Sequence, residues 1–228
     1  MAGWALAAWL SAAVAASAAY FLPHHQKPEL AEILSRMNAS ARRLKTVSAS
    51  IEYTNVTVIV NDSETKSGNF YLHKGRHAKI LIHFLKPAPE QILVTSKKAE
   101  IYNPRIDQVQ QYDLSRHADL LQQFLLLGFG TDEIEIKSNY SVRLTGEEEI
   151  GGGSTAVLEL KPLRPDVASQ LSKIELWVNE ESWLPVQQKF YEASGNYLVV
   201  RYSDVQVNRW LSPSIFHLTK SAKRVKMK

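Results

Sequence analysis

From Val47 onward the apolar residues of this chain recur at every second position, and they keep that period between tight turns almost to the C-terminus. A period of two over short segments is the mark of strands with one face buried. Turn-forming residues at close intervals make neighbouring strands antiparallel, because parallel strands need a crossover of a dozen residues or more. The segments read as strands are 47–60, 69–73, 77–85, 92–95, 100–102, 108–112, 133–137, 140–148 and 156–161, with three more in 172–208. The turns between them carry Asn61-Asp62-Ser63, Lys74-Gly75, Ser96-Lys97-Lys98, Asn103-Pro104 and Gly151-Gly152-Gly153. Pro87-Ala88-Pro89 ends one strand, since proline cannot donate to a ladder.

The period changes to that of a helix in two long places. Across 28–45, Leu30, Ile33, Leu34, Met37, Ala41 and Leu44 form one stripe, with Glu29, Glu32, Arg36 and Arg42 on the other side. In "DLSRHADLLQQFLLLGFG", Leu120, Leu121, Phe124, Leu125 and Leu127 repeat at helical spacing before Gly128. One or two helical turns are expected in 165–171. The expected fold is therefore mainly β with helices (α+β): an incomplete antiparallel β-barrel of about ten to eleven strands, with helices covering the concave face. No internal repeat divides the chain, and its 228 residues suit one domain. The last residues, "KSAKRVKMK", read as a loose basic tail.

The N-terminus is unlike the rest. No Asp, Glu, Lys or Arg precedes Lys27, and Ala16-Ser17-Ala18 offers the small-x-small pattern of a signal peptidase site. Residues 1–18 are expected to be a signal peptide and 19–27 a linker; an uncleaved membrane anchor is the alternative, because no Lys or Arg marks the first residues. Either reading exports the remainder, divided into a domain over 28–218 and the tail 219–228.

Reactive chemistry is scarce. The chain has no cysteine, which excludes disulfides, thiolate catalysis and cysteine-based zinc sites. His73, His77 and His83 fall close together on adjacent strands, but the turn between the first two is basic, so surface histidines are the ordinary reading and no metal is expected. No G-x-S-x-G elbow occurs, and Gly128-Phe129-Gly130 follows a helix rather than opening one, which makes a poor phosphate cradle. The Glu147–Glu149 and Glu180-Glu181 runs lie beside turns, where charges are solvated. A net charge of +4 is too mild to mark a nucleic-acid binder. No enzyme and no cofactor is expected; an unrecognised periplasmic hydrolase is the outlying alternative.

What remains is apolar surface on curved sheet. Alternation puts Phe70 and Leu72 on one face, Ile80 and Ile82 on one face of the next strand, and continues through Ile92 and Val94, Leu176, Gln188 and Phe190, and Leu198 and Val200 with Tyr202. These residues form either an ordinary core under two helices or the wall of an acyl-chain cavity with the segment Leu120–Leu127 as its lid. Composition does not separate the two.

Gly68-Asn69-Phe70, the Lys74-Gly75 turn, Pro87, "ILVTS", "EIYNP" and Gln108-Val109, followed by "LWVNEESWLPVQQKFYEASGNYLVVRYSDVQVN", together resemble the LolA family of periplasmic outer-membrane lipoprotein carriers over residues 28–218. The resemblance implies a hydrophobic cavity lined by Phe70, Leu72, Ile80, Ile82, Ile92, Val94, Leu176, Phe190, Leu198 and Val200 and covered by Leu120, Leu121, Phe124 and Leu125. It implies acylated lipoproteins as cargo, taken from an inner-membrane ABC-type lipoprotein-releasing complex and passed to an outer-membrane receptor, with transient membrane contact, by a monomer. A carrier of another lipid, or a lipoprotein-sensing regulator of the same fold, is the alternative within it. Three positions depart from the family pattern: Lys74-Gly75 replaces Arg-Pro, Ile101 replaces an aromatic residue, and Lys97-Lys98 replaces Asp-Gly. The family's arginine closes the lid, and Lys74 lacks its planar fork.

Overall fold

The structure, a computed structural model, describes residues 28–75, 77–114, 127–219 and 221–227. Its first element, α1 (Leu30–Arg43), buries Ile33, Leu34, Met37 and Ala41, the stripe expected from the spacing. Arg42 and Arg43 in its last turn face the negative end of the helix dipole.

Twelve strands are present among the described residues: β1 (Thr46–Thr57), β2 (Asp62–His73), β3 (Lys79–Lys86), β4 (Glu90–Val94), β5 (Lys98–Asn103), β6 (Gln108–Asp113), β7 (Tyr140–Ile150), β8 (Gly153–Pro162), β9 (Leu171–Asn179), β10 (Pro185–Glu192), β11 (Tyr197–Val207) and β12 (Lys223–Lys226). Two short helices interrupt them, α2 (Glu133–Asn139) and α3 (Pro165–Ala168). All strands join one sheet in the order β12-β6-β5-β4-β3-β2-β1-β11-β10-β9-β8-β7. Its two meander halves meet where β1 pairs with β11, from Val47 opposite Val207 to Val56 opposite Tyr197. The outermost strands β12 and β7 do not pair with each other, so the barrel is incomplete.

Alternation decides which face each residue takes. On the inner face, Val47, Ala49, Ile51, Phe70, Leu72, Ile80, Ile82, Phe84 and Val94 pack with Phe129. Beside them α1 lies on Leu158, Leu160, Ile174, Leu176 and Val178, together with Leu127 and Ile136. On the outer face, Leu81, Leu93 and Val109 are covered by Phe216, Leu218 and Ala222 from the C-terminal segment.

Three expectations are corrected. Residues 133–137 form the helix α2 rather than a strand: the Asp132 side chain accepts from the Glu135 backbone N–H at 2.8 Å, and Lys137 reaches Glu133 at 2.6 Å one turn away. The basic tail is not loose: β12 pairs in parallel with β6, the one parallel ladder among the described residues. The second strand begins at Asp62, seven residues before the expected start, while β1 ends at Thr57 and leaves Val58–Val60 as a single 3-10 turn. The helix read at Leu120–Leu127 lies outside the described residues except for Leu127, which is fully buried.

Candidate functional site

The inner face encloses a cavity of about 720 Å³. Its floor is built across strands: Ile51 and Tyr53 from β1, Phe70 from β2, Ile82 from β3, Ile92 and Val94 from β4, and Ala99 from β5. Phe190, Leu198 and Val200 close the other side, and Gln170, Leu171 and Glu192 stand at the edge. Cross-strand registers such as Phe70 opposite Ile82 and Ile82 opposite Ile92 explain why one alternating face per strand yields a continuous apolar surface.

One end is stoppered by the turn Leu127–Gly130. Leu127 and Phe129 are fully buried, and Phe129 packs against Phe70 (5.6 Å between centroids) and edge-on to Tyr202 (4.9 Å). The turn needs Gly128: its φ of +80° is left-handed, and a Cβ there would lie 3.1 Å from the Pro185 ring. Gln188, buried on the sheet, donates its Nε2 to the Leu127 carbonyl at 2.8 Å and accepts from the Tyr202 hydroxyl at 3.1 Å. Burial pushes the Tyr202 hydroxyl above its usual pKa, so it stays a neutral donor. Lys74 fixes the same turn from the opposite side, donating its Nζ to the carbonyls of Ala41 at the end of α1 (2.9 Å) and Gly130 (3.2 Å). Burial lowers the Lys74 pKa, while Asp132 and Glu135 pull it upward.

At the other end Tyr53 meets Phe84 edge-on, 5.7 Å between centroids, and Lys66 pairs with Glu90 at 3.5 Å. Burial raises the Tyr53 pKa, and Glu64, Glu90 and Glu192 add to the shift. Among the described lining residues there is no serine, histidine or lysine, and Glu192 at the edge is the one carboxylate. The wall offers hydrocarbon contact, which is suited to alkyl chains at about 0.8 kcal/mol per buried CH₂. A second hollow of about 630 Å³, bordered by Ser50, Glu52, Asn69, Lys86 and Arg201, is more polar. Among the described residues, no three His, Asp or Glu side chains converge as metal ligands.

Of the residues expected to form the cavity, Phe70, Ile82, Ile92, Val94, Phe190, Leu198 and Val200 line it. Leu72 and Ile80 face inward but are fully packed beside it, and Leu176 lies in the separate cluster under α1. Leu120, Leu121, Phe124 and Leu125 are outside the described residues. Lys74 does hold two separate segments together, through backbone carbonyls. Gln188 and Tyr202, placed on the same alternating faces by the sequence, line it as well, and the residues not anticipated as wall are Ile51, Tyr53, Ala99, Gln170, Leu171 and Glu192. The alternation of 47–60 carried the signal for Ile51 and Tyr53.

A family model described as outer membrane lipoprotein carrier protein LolA matches residues 42–219. Among solved structures, an uncharacterized conserved protein from Thermus thermophilus is similar at 15% identity and TM-score 0.56, covering 86% of this chain and 98% of that one. MucB is similar at 14% identity and TM-score 0.54, covering 85% of this chain and 64% of that chain. At these identities the likeness concerns the fold. No curated protein matches the chain significantly.

Proposed function

The chain belongs to the LolA family of outer membrane lipoprotein carrier proteins, and we propose that it is a periplasmic carrier that holds the acyl chains of lipoproteins in its inner-face cavity. The observation that carries this reading is the cavity itself: about 720 Å³ of aliphatic and aromatic wall on one face of an open sheet. An isolated apolar hollow of that size is costly to leave facing water, and filling it with alkyl chain offsets the cost. The carrier would accept cargo from an inner-membrane ABC-type lipoprotein-releasing complex and pass it to an outer-membrane receptor, without covalent chemistry. Binding must hold the lipid in water yet release it to a stronger acceptor.

Native mass spectrometry of the chain purified from envelope extract tests this. A copurifying acylated peptide supports the carrier; free glycolipid alone would mean another cargo; an empty protein that hydrolyses esters would sink both. Leu121→Glu and Phe124→Glu are expected to abolish cargo binding with the sheet intact, and lipid that still copurifies would remove that segment from the site.

A further inference from the structure

We propose that the apex of the β1–β2 hairpin, Val58-Ile59-Val60, inserts into the interfacial layer of a lipid bilayer and so turns the end of the cavity bounded by Tyr53 and Leu198 toward the membrane. Hairpin connections are normally polar, with Gly, Asn or Asp at their centre. Here three consecutive β-branched aliphatic residues stand 51%, 85% and 67% exposed at the end of two twelve-residue strands. Their placement is built rather than loose. The Asn61 N–H bonds to the Val58 carbonyl at 3.1 Å, and the Val58 N–H donates to the Asn196 side chain at 3.1 Å. Side chains stiff at χ1 lose little freedom when they enter a bilayer.

The surroundings specify the occupant. Just behind the apex Tyr197 lies opposite Val56 and 5.9 Å from Tyr191, with the Lys189 ammonium 4.0 Å from one ring centroid and 4.6 Å from the other. An aliphatic tip followed by tyrosines and a lysine is the order of side chains at a membrane–water interface. Among the described residues the other charges near this end include Asp62, Glu64 and Glu192, Lys66 paired to Glu90, and Lys173, 4.5 Å from the Tyr191 ring and paired to Glu175. That balance does not favour an anionic surface, so apolar insertion rather than charge drives the contact. A projecting tip needs a matched socket on a folded partner but none in a bilayer.

The cavity extends toward the same end: Tyr53 and Leu198 are the wall residues nearest the apex along their strands. The inference concerns the protein without cargo and does not depend on what fills the cavity.

The chain has no cysteine, so single labels can be placed on the full-length protein. An environment-sensitive fluorophore on Ile59→Cys is compared with the same fluorophore on Arg209→Cys, which lies beside Thr46 at the far end of β1, roughly 35 Å away. With phosphatidylcholine vesicles, the label at position 59 is expected to shift to the blue and be quenched by doxyl lipid, while that at 209 stays in water. The separate substitution Ile59→Asp should lower vesicle affinity roughly tenfold. The proposal is overturned if the label at 59 stays in water on vesicle-bound protein, or if both labels shift alike. It is equally overturned if binding requires phosphatidylglycerol and vanishes in salt, or if the shift appears without lipid as protein concentration rises.

Discussion

The Lys74 ammonium lies 2.9 Å from the carbonyl of Ala41, thirty-three residues earlier at the end of α1. Its second bond, to the Gly130 carbonyl, makes one side chain the tie between α1 and the turn that stoppers the cavity. A lysine can do this because its three N–H donors point in separate directions, whereas the two acceptors belong to different segments and need no planar fork. Lys74→Met would take the ammonium donor from the Gly130 carbonyl and leave the Ala41 carbonyl with the Leu44 N–H alone. A loss of about 1–3 kcal/mol in urea unfolding is expected, with the chain still folded. Faster hydrogen exchange around 127–131 should accompany it.

Gln188 holds the same turn from the sheet side, and its surroundings are drier. Replacing it by leucine keeps the volume but strands the Leu127 carbonyl and the Tyr202 hydroxyl, both satisfied only through its amide among the described contacts. The expected cost is about 2–4 kcal/mol, larger than for most surface changes. Gln188→Glu is expected to be as harmful at neutral pH, since a carboxylate cannot donate to Leu127. Equilibrium unfolding of both variants checks this, and wild-type stability in Gln188→Leu would show that the network is not structural.

The sheet was legible because burial on one face writes a period of two, and Gly, Asn and Pro mark where it stops. Where burial was not the cause, the pattern misled. In 133–137, Ile134 and Ile136 alternate like a strand, yet Ile134 is 77% exposed and Ile136 is buried. The helix there is set by Asp132 and Glu135, a cap and an N3 acid that the alternation concealed. Residues 62–67 lack an apolar face, and their strand is held by pairing with β1 and by contacts such as Thr54 to Thr65 at 2.9 Å. The tail strand depends on Arg224 meeting Glu100, 124 residues away, which no local pattern can reveal. In the site, alternation gave the wall but could not tell Leu72 or Leu176, packed against neighbours, from Val200, which faces the cavity. That distinction depends on where α1 and the Leu127–Gly130 turn lie.

Glu100 couples the tail to pH. It is buried on the outer face and contacts Lys98 (2.8 Å), Gln111 (2.7 Å) and Arg224 (3.2 Å). Burial alone would raise its pKa, but the hydrogen bonds from Lys98 and Gln111 and the charges of Lys98 and Arg224 outweigh it, and the net shift is downward. A carboxyl depressed in the folded state stabilises fully above its unfolded value, and that contribution is lost as pH falls through the folded value. The amides of β12 are therefore expected to keep their protection at neutral pH and lose it in acid, below the ordinary carboxylate range. Glu100→Gln should lower that protection at neutral pH and flatten its pH dependence. Hydrogen exchange of 223–226 measured against pH decides between these outcomes.

Cavity wall and packed core should respond in opposite ways to substitution. Ala99 lines the cavity on β5, opposite Val94, with open space in front of it. Ala99→Trp places a large apolar side chain where no atoms stand, so overpacking strain is avoided and stability should change by less than about 1.5 kcal/mol. It removes space that an alkyl chain would occupy, and binding of a fluorescent fatty-acid probe should weaken roughly tenfold or more, the equivalent of about two lost CH₂ contacts. Leu176 has no exposed surface and packs under α1 with Ile174 and Val178. Leu176→Ala should therefore cost about 2–5 kcal/mol in unfolding while leaving probe affinity per folded molecule unchanged. Paired titrations and urea melts of the two variants separate wall from core. If Ala99→Trp binds the probe as tightly as the wild type, the inner-face hollow is not where alkyl chains sit. If Leu176→Ala loses affinity instead, the binding surface lies under α1.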